Sequence, residues 1–190
     1  LDACEKLNKD LKNNTLADLV GKEYFGEWIV DWTTKPDAVV DEVITHYSYS
    51  YAAQLVAIDD DGQIERVTAA HDAGKIYNPM LFEGQVEGAV HMGIGYAVSE
   101  DLPMEDGVPL HTNFRKLGIL RAKEMPPVDV IGVEVPDPLG PYGAKGVGEI
   151  GLVPTAAAVA NALYQFDGKR RTKFPMKLAK KKRKSKVLKL

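Results

Sequence analysis

Cysteine is almost absent: Cys4 is the only one in 190 residues. A single thiol excludes an intrachain disulfide, a CxxC redox pair, a cysteine-based zinc site and an iron–sulfur cluster held by this chain. The lack of disulfides fits a reducing compartment. Long apolar runs are missing too. No stretch approaches the roughly 18 to 20 residues that cross a bilayer, and the opening Leu1, Asp2, Ala3, Cys4 and Glu5 are unlike a signal peptide. The expectation is a cytoplasmic protein with no membrane partner. Metal-ligand spacing is lacking as well, because His46, His71, His91 and His111 form no HxxxH or related pattern. No metal held by protein side chains is expected.

Acidic residues are missing from one region only. Residues 169–190 carry 12 of the 24 lysines and arginines and none of the 27 acids, which leaves residues 1–168 with a net charge of −15. A nucleic-acid-binding domain would spread its basic patch over a folded surface, so that class is excluded for the body. Residues 177–190 read as a solvated extension, since like charges repel and cannot pack. Gripping RNA or an acidic partner is their alternative use. What is present is ordinary for a soluble globular chain: 45% hydrophobic and 27% charged residues, 17 glycines and 11 prolines. A chain of this size buries about 70% of its unfolded surface and needs no structural metal.

Leu7, Leu11 and Leu16 recur at near-helical spacing, which predicts a short surface helix within residues 1–16 that Asn13 and Asn14 end. Residues 24–37 have no clean period. Residues 45–58 and 63–71 alternate around Asp59, Asp60, Asp61 and Gly62, the pattern of an antiparallel hairpin. Residues 81–99 predict a buried helix in which Leu81, Val86, Ala89, Val90, Ile94 and Ala97 interleave with glycines 84, 88, 93 and 95. Each interior glycine costs about 1 kcal/mol against alanine, so something packs closely there, either backbone or ligand. Residues 102–110 are rich in turns. Residues 128–135 predict a strand ended by Pro136 and Pro138, and residues 153–166 a helix with Thr155 as cap. Strand, strand, helix, strand, helix with antiparallel pairing predicts an α+β fold of antiparallel strands with packed helices. The expected organisation is a helix and irregular lead-in over 1–40, a main domain over 41–175 and a basic, disordered tail over 176–190.

The most informative stretch is the loop Pro141, Tyr142, Gly143, Ala144, Lys145, Gly146, Val147, Gly148, Glu149, Ile150, Gly151. Its glycines let backbone N–H groups approach an anion, and a helix N-terminus follows. Gly146, Gly148 and Gly151 spell GxGxxG, but they do not directly follow a strand and no parallel βαβ unit comes after them. A phosphate-binding Walker loop fails because Lys145 precedes its glycine and no Ser or Thr follows. Taken alone, Glu149 is an acid near a helix N-terminus, and Gln85 a polar residue at a helix end. No nucleophile with a paired base can be picked out, and Cys4 reads as inert.

Two motifs read together change this. Asn78-Pro79 with Glu83-Gly84-Gln85-Val86-Glu87-Gly88-Ala89, and Gly143-Ala144-Lys145-Gly146-Val147-Gly148-Glu149, resemble the C-terminal part of the molybdenum-binding subunit of the xanthine dehydrogenase and aldehyde oxidase family. The resemblance covers most of residues 40–175 and implies a molybdopterin-binding domain. In that family a pterin dithiolene holds the metal, in some members as the cytosine dinucleotide form, so no protein ligand to the metal is required. By resemblance Glu149 is the catalytic general base of an oxidative hydroxylation that takes its oxygen from water. Gln85 and the backbone of Gly143, Ala144, Lys145, Gly146, Val147 and Gly148 contact the cofactor. The flavour of the loop is nearest to purine or xanthine hydroxylases, with other heterocycles or aldehydes as further substrates. Family subunits are several times longer, which implies that the remainder of the molybdenum subunit, iron–sulfur clusters and FAD are carried by partner chains or domains. The chain alone is then expected to be inactive. The competing expectation is a non-catalytic assembly or binding module with a basic tail.

Overall fold

The computed structural model describes residues 1–29, 32–46 and 48–178, so the expected basic tail lies outside the described residues from 179 onward. Two compact units divide the chain, Leu1–Tyr49 and Ser50–Leu190.

In the first unit, helix α1 spans Asp2–Asp10 and buries none of its residues. Asp2 and Glu5 in its first turn and Lys9 in its last match the helix dipole. Polar ties rather than burial fasten it: Asp10 accepts from Lys22 Nζ and from the Tyr24 hydroxyl at 2.7 Å, and Asp2 accepts from the Glu27 N–H at 3.0 Å. Leu16, expected on this helix, lies beyond it and is exposed.

The second unit begins with the expected hairpin. Strand β1, Ala52–Ile58, pairs antiparallel with β2, Ile64–Asp72, with Val56 opposite Val67 and Ala52 opposite His71. The Asp59 carboxylate accepts the N–H groups of Asp61 and Gln63, and Gly62 takes φ +76°, which closes the turn. β1 starts later than residue 45 because its partner runs out: the Asp72 N–H to Tyr51 O bond is the last rung before β2 leaves the sheet. Helix α2 spans Pro79–Val98; the Asn78 carboxamide accepts the Leu81 N–H at its start, with Pro79 at the first position. A two-rung hairpin, β3 (Met104–Glu105) and β4 (Val108–Pro109), occupies the turn-rich excursion.

The α+β class holds, but the third strand departs from the antiparallel expectation. Strand β5, Val128–Val133, pairs parallel with β2, giving the order β1-β2-β5. Returning from β2 through a helix and a long excursion brings the chain back to the same end of the sheet, and that connection can only make a parallel neighbour.

Helix α3, Thr155–Asp167, completes the layer and ends at Gly168 with φ +71°. Thr155, expected as its cap, is instead its first residue, fully buried, and its hydroxyl donates to Gly151 O at 3.0 Å. The core joins Val56, Val67 and Ala69 of the sheet to Val86, Val90 and Ile94 of α2 and Val159 and Leu163 of α3. Met176 belongs to it too, 4% exposed, with its N–H bonded to Ala97 O at 2.6 Å.

The glycines of α2 divide into two kinds. A Cβ on Gly93 would stand 2.5 Å from the Thr155 side chain, so this glycine lets α3 approach. Gly84 and Gly88 have nothing within 4 Å of where a Cβ would be. Gly93→Val is therefore expected to cost about 1–3 kcal/mol by overpacking, whereas Gly88→Ala should stabilise the chain by up to about 1 kcal/mol. Urea unfolding of the two variants checks the opposite signs.

Candidate functional site

The site forms where β2 ends. Asp72 is buried, and its Oδ2 lies 2.6 Å from Lys145 Nζ, the two side chains being 4% and 7% exposed. Its Oδ1 accepts the Gly74 N–H at 3.0 Å. Burial opposes ionisation of Asp72, but the Lys145 ammonium and the Gly74 N–H outweigh it and hold the carboxyl below its ordinary range. Gly74 adopts φ +63°, a turn that L residues rarely make, and a Cβ there would strike the Gly143 carbonyl. The chain leaving β2 then meets the glycine-rich loop as a short antiparallel rung: Gly74 bridges Ala144, the Lys75 N–H donates to Gly143 O at 2.8 Å, and the Lys145 N–H donates to Ala73 O at 3.0 Å.

Just ahead of that rung, Tyr142 sits at φ +52°, an uncommon conformation for a residue with a side chain. The Tyr77 hydroxyl donates to Tyr142 O at 2.6 Å and the two rings meet edge to face, 6.4 Å between centroids. Asp137 Oδ1 accepts the N–H groups of Leu139 and Gly140 at 2.8 and 2.7 Å, and the Asp137 N–H donates to Gly143 O. Strained backbone held by surrounding bonds is a recurring feature of functional loops.

The two sequence motifs meet here. Gln85, exposed on α2, donates from Nε2 to Gly148 O at 2.6 Å across a separation of 63 residues. Between the start of α2, the segment after β2 and the loop lies a cleft of about 350 Å³, lined by Tyr77, Phe82, Gln85, Val147 and Gly148 among others. A larger cavity of about 530 Å³ lies between β1 and α3, but its lining carries no charged group. Glu149 follows Gly148 directly and is exposed; its carbonyl accepts the Leu152 N–H at 3.1 Å.

The expected site residues thus fall into two groups. Gly143, Ala144 and Lys145 spend their N–H groups on Gly140 O, Pro141 O and Ala73 O, and the Lys145 ammonium on Asp72. Among the described residues, the N–H groups of Gly146, Val147 and Gly148 have no acceptor, and a Cβ on Gly146 or Gly148 would meet nothing within 4 Å. Gln85, Gly146, Val147, Gly148 and Glu149 form one surface. Sequence reasoning missed Asp72 and Tyr77. The closeness of Asp72 to Gly74 at a strand end, with a lysine in a distant glycine loop, was the available signal. On the core side, the Gln54 carboxamide links His71 to Gly151, again without a sequence signal.

Comparison with known proteins identifies the family of the chain. The molybdopterin cofactor-binding domain family matches residues 2–126. The gamma subunit of the 6-hydroxypseudooxynicotine dehydrogenase complex of Paenarthrobacter nicotinovorans is 38% identical over 132 residues, 67% of this chain and 17% of that protein. The xanthine dehydrogenase molybdenum-binding subunit of Escherichia coli O157:H7 is 36% identical over 107 residues, 55% of this chain and 14% of that subunit. Among solved structures, the aldehyde oxidoreductase of Desulfovibrio gigas superposes with a TM-score of 0.59 at 31% identity, covering 66% of this chain and 14% of that one. The chain therefore spans less than a fifth of the length of these relatives. It belongs to the molybdopterin cofactor-binding domain family, as found in the molybdenum-binding subunits of xanthine dehydrogenases and aldehyde oxidoreductases.

Proposed function

We propose that this chain forms one wall of the cofactor site of a molybdenum hydroxylase, with Glu149 as the general base and Gln85, Gly146, Val147 and Gly148 as the cofactor contacts. The observation that carries the reading is the Gln85 to Gly148 hydrogen bond, which joins the two motifs beside Glu149. The residues fit such a group. Gly84 and Gly88 leave the face of α2 around Gln85 without side chains, Gly146 and Gly148 do the same for the loop, and three N–H donors stand ready for an anionic or carbonyl oxygen. Because Lys145 is neutralised by Asp72, recognition of negative charge falls to those N–H groups rather than to an ammonium.

When bound, a molybdopterin-type cofactor, in its simple or cytosine dinucleotide form, supplies two-electron oxidation of a substrate carbon with water as the oxygen source. The role of this chain is to hold that group and to move one proton. A Glu149 carboxylate oxygen accepts the proton of the attacking water-derived oxygen, which requires hydrogen-bond reach and an ionised carboxylate. The glycines on its N-terminal side leave space for that approach. The substrate class is a purine or related heterocycle, with an aldehyde as the alternative. Iron–sulfur clusters and FAD to take up the electrons would be carried by partner chains or domains, since Cys4 alone can ligate no cluster.

Gln85→Ala tests the contact. In an assembly formed with the remainder of the subunit, molybdenum content per chain is expected to fall, while turnover per remaining molybdenum changes less than threefold, roughly the effect of a contact that positions the cofactor without entering the proton transfer. Equal molybdenum in variant and wild type would remove Gln85 from the site.

A further inference from the structure

β2 ends in two consecutive residues whose side chains leave opposite faces of the sheet, and both reach the segment that carries Glu149. Asp72 holds Lys145, which precedes Glu149 in the loop. His71, fully buried on the core face, has Nε2 3.0 Å from Gln54 Nε2, and the same amide nitrogen donates to Gly151 O at 2.8 Å, just past Glu149. Gly151 O also accepts the Thr155 hydroxyl at 3.0 Å, and a Cβ on Gly151 would stand 2.7 Å from the Ala89 side chain. This glycine is therefore gripped from β1, α2 and α3 together.

The donor assignments follow from chemistry. A backbone carbonyl can only accept, so the Gln54 group facing Gly151 is the amide nitrogen. Its second hydrogen points to His71 Nε2, which must then carry a lone pair, and the ring hydrogen of neutral His71 sits on Nδ1. Burial pushes the His71 pKa down and keeps the ring neutral. Among the described residues, Gln54 Oε1 and His71 Nδ1 are buried without a hydrogen-bond partner. Leaving such groups unsatisfied is unfavourable, so burial of the pair for its own sake does not explain it.

We propose that Gln54 and His71 are positioning residues for Glu149: the bare Nε2 of His71 orients the Gln54 carboxamide, and the carboxamide fixes Gly151, so that the base is held from its C-terminal side as Asp72 and Lys145 hold it from the other. The inference rests on the reading of Glu149 as the base.

The first test is the His71 tautomer in the ¹⁵N-labelled full chain, read from the two ring nitrogens by NMR. Hydrogen on Nδ1 with Nε2 bare is the expected result, and hydrogen on Nε2 would overturn the proposal without any variant. The second is hydrogen exchange in Gln54→Met, which keeps the side-chain volume and removes both donors. The amides of residues 150–152 should exchange about tenfold faster while those of β2 keep their protection, as in a local opening. Unchanged exchange at 150–152 would also overturn it. In the assembled enzyme, Gln54→Met should lower kcat by about 10- to 100-fold, as misplacement of a reacting group does, with KM and molybdenum content unchanged; an unchanged kcat would count against it. If Glu149→Gln retains full turnover, the base assignment fails while the tautomer and exchange results stand, so the two failures are distinguishable.

Discussion

Glu149→Gln is expected to lower turnover per molybdenum by about 10²- to 10⁴-fold, the usual contribution of a general base, which corresponds to roughly 3 to 5 kcal/mol of barrier. Glutamine keeps the length, shape and hydrogen-bonding reach of the side chain but cannot take a proton. Glu149 is exposed, and no side-chain hydrogen bond or ion pair to its carboxylate is present among the described residues, so none of their contacts depends on its charge. Stability and molybdenum content should match the wild type. The comparison is made in the assembly with the remainder of the subunit, at equal molybdenum and sulfide content. A fall smaller than about tenfold would assign proton removal to another group, and a rate lost together with the metal would give Glu149 a structural role.

Lys145→Met should produce the largest loss of stability, about 3 to 5 kcal/mol, the cost of removing one partner of a buried ion pair. Asp72 is 4% exposed at its side chain and would be left as a buried charge with only backbone N–H donors. The pH dependence has a definite sign. Asp72 titrates below its ordinary range in the native chain, so its contribution is fully present above the unfolded carboxylate pKa of about 3.9 and is lost as pH falls through the lower folded value. Without Lys145 the buried carboxyl takes up a proton more readily, and the deficit of the variant narrows as pH falls toward 4.5. Urea unfolding at pH 7 and pH 4.5 reads both effects. Adding Asp72→Leu to Lys145→Met should recover part of the loss, because no buried charge then remains.

Local chemistry explains what was legible in the sequence. The hairpin was readable because Asp59 to Gly62 supply turn residues between two alternating runs, and α2 because its apolar residues recur at helical spacing. The site was visible only as two separate motifs. That Gln85 meets Gly148 is a product of the crossover between them, which no local pattern encodes. The parallel pairing of β5 was hidden for the same reason: the excursion after α2 gives no sign of which way the chain returns. Asp72 and Lys145 lie 73 residues apart, one at a strand end and the other in a glycine-rich loop, so no local pattern links them. The Gln54 to Gly151 bond spans 97 residues between two neutral groups, where neither charge nor periodicity marks a partner. Close packing, expected at all four glycines of α2, is found at Gly93, against Thr155, whereas Gly84 and Gly88 face open space in this chain.

The central claim is that Gln85 and residues 146–148 form part of a molybdopterin cofactor site. Its most direct test is elemental analysis of molybdenum and phosphorus in the assembly recovered through an affinity tag on this chain, co-expressed with the remainder of its subunit and with cofactor biosynthesis active. The account predicts molybdenum equimolar with the chain, accompanied by cofactor phosphorus, and a lower content of both in Gln85→Ala. An intact assembly that contains this chain but no molybdenum would contradict it.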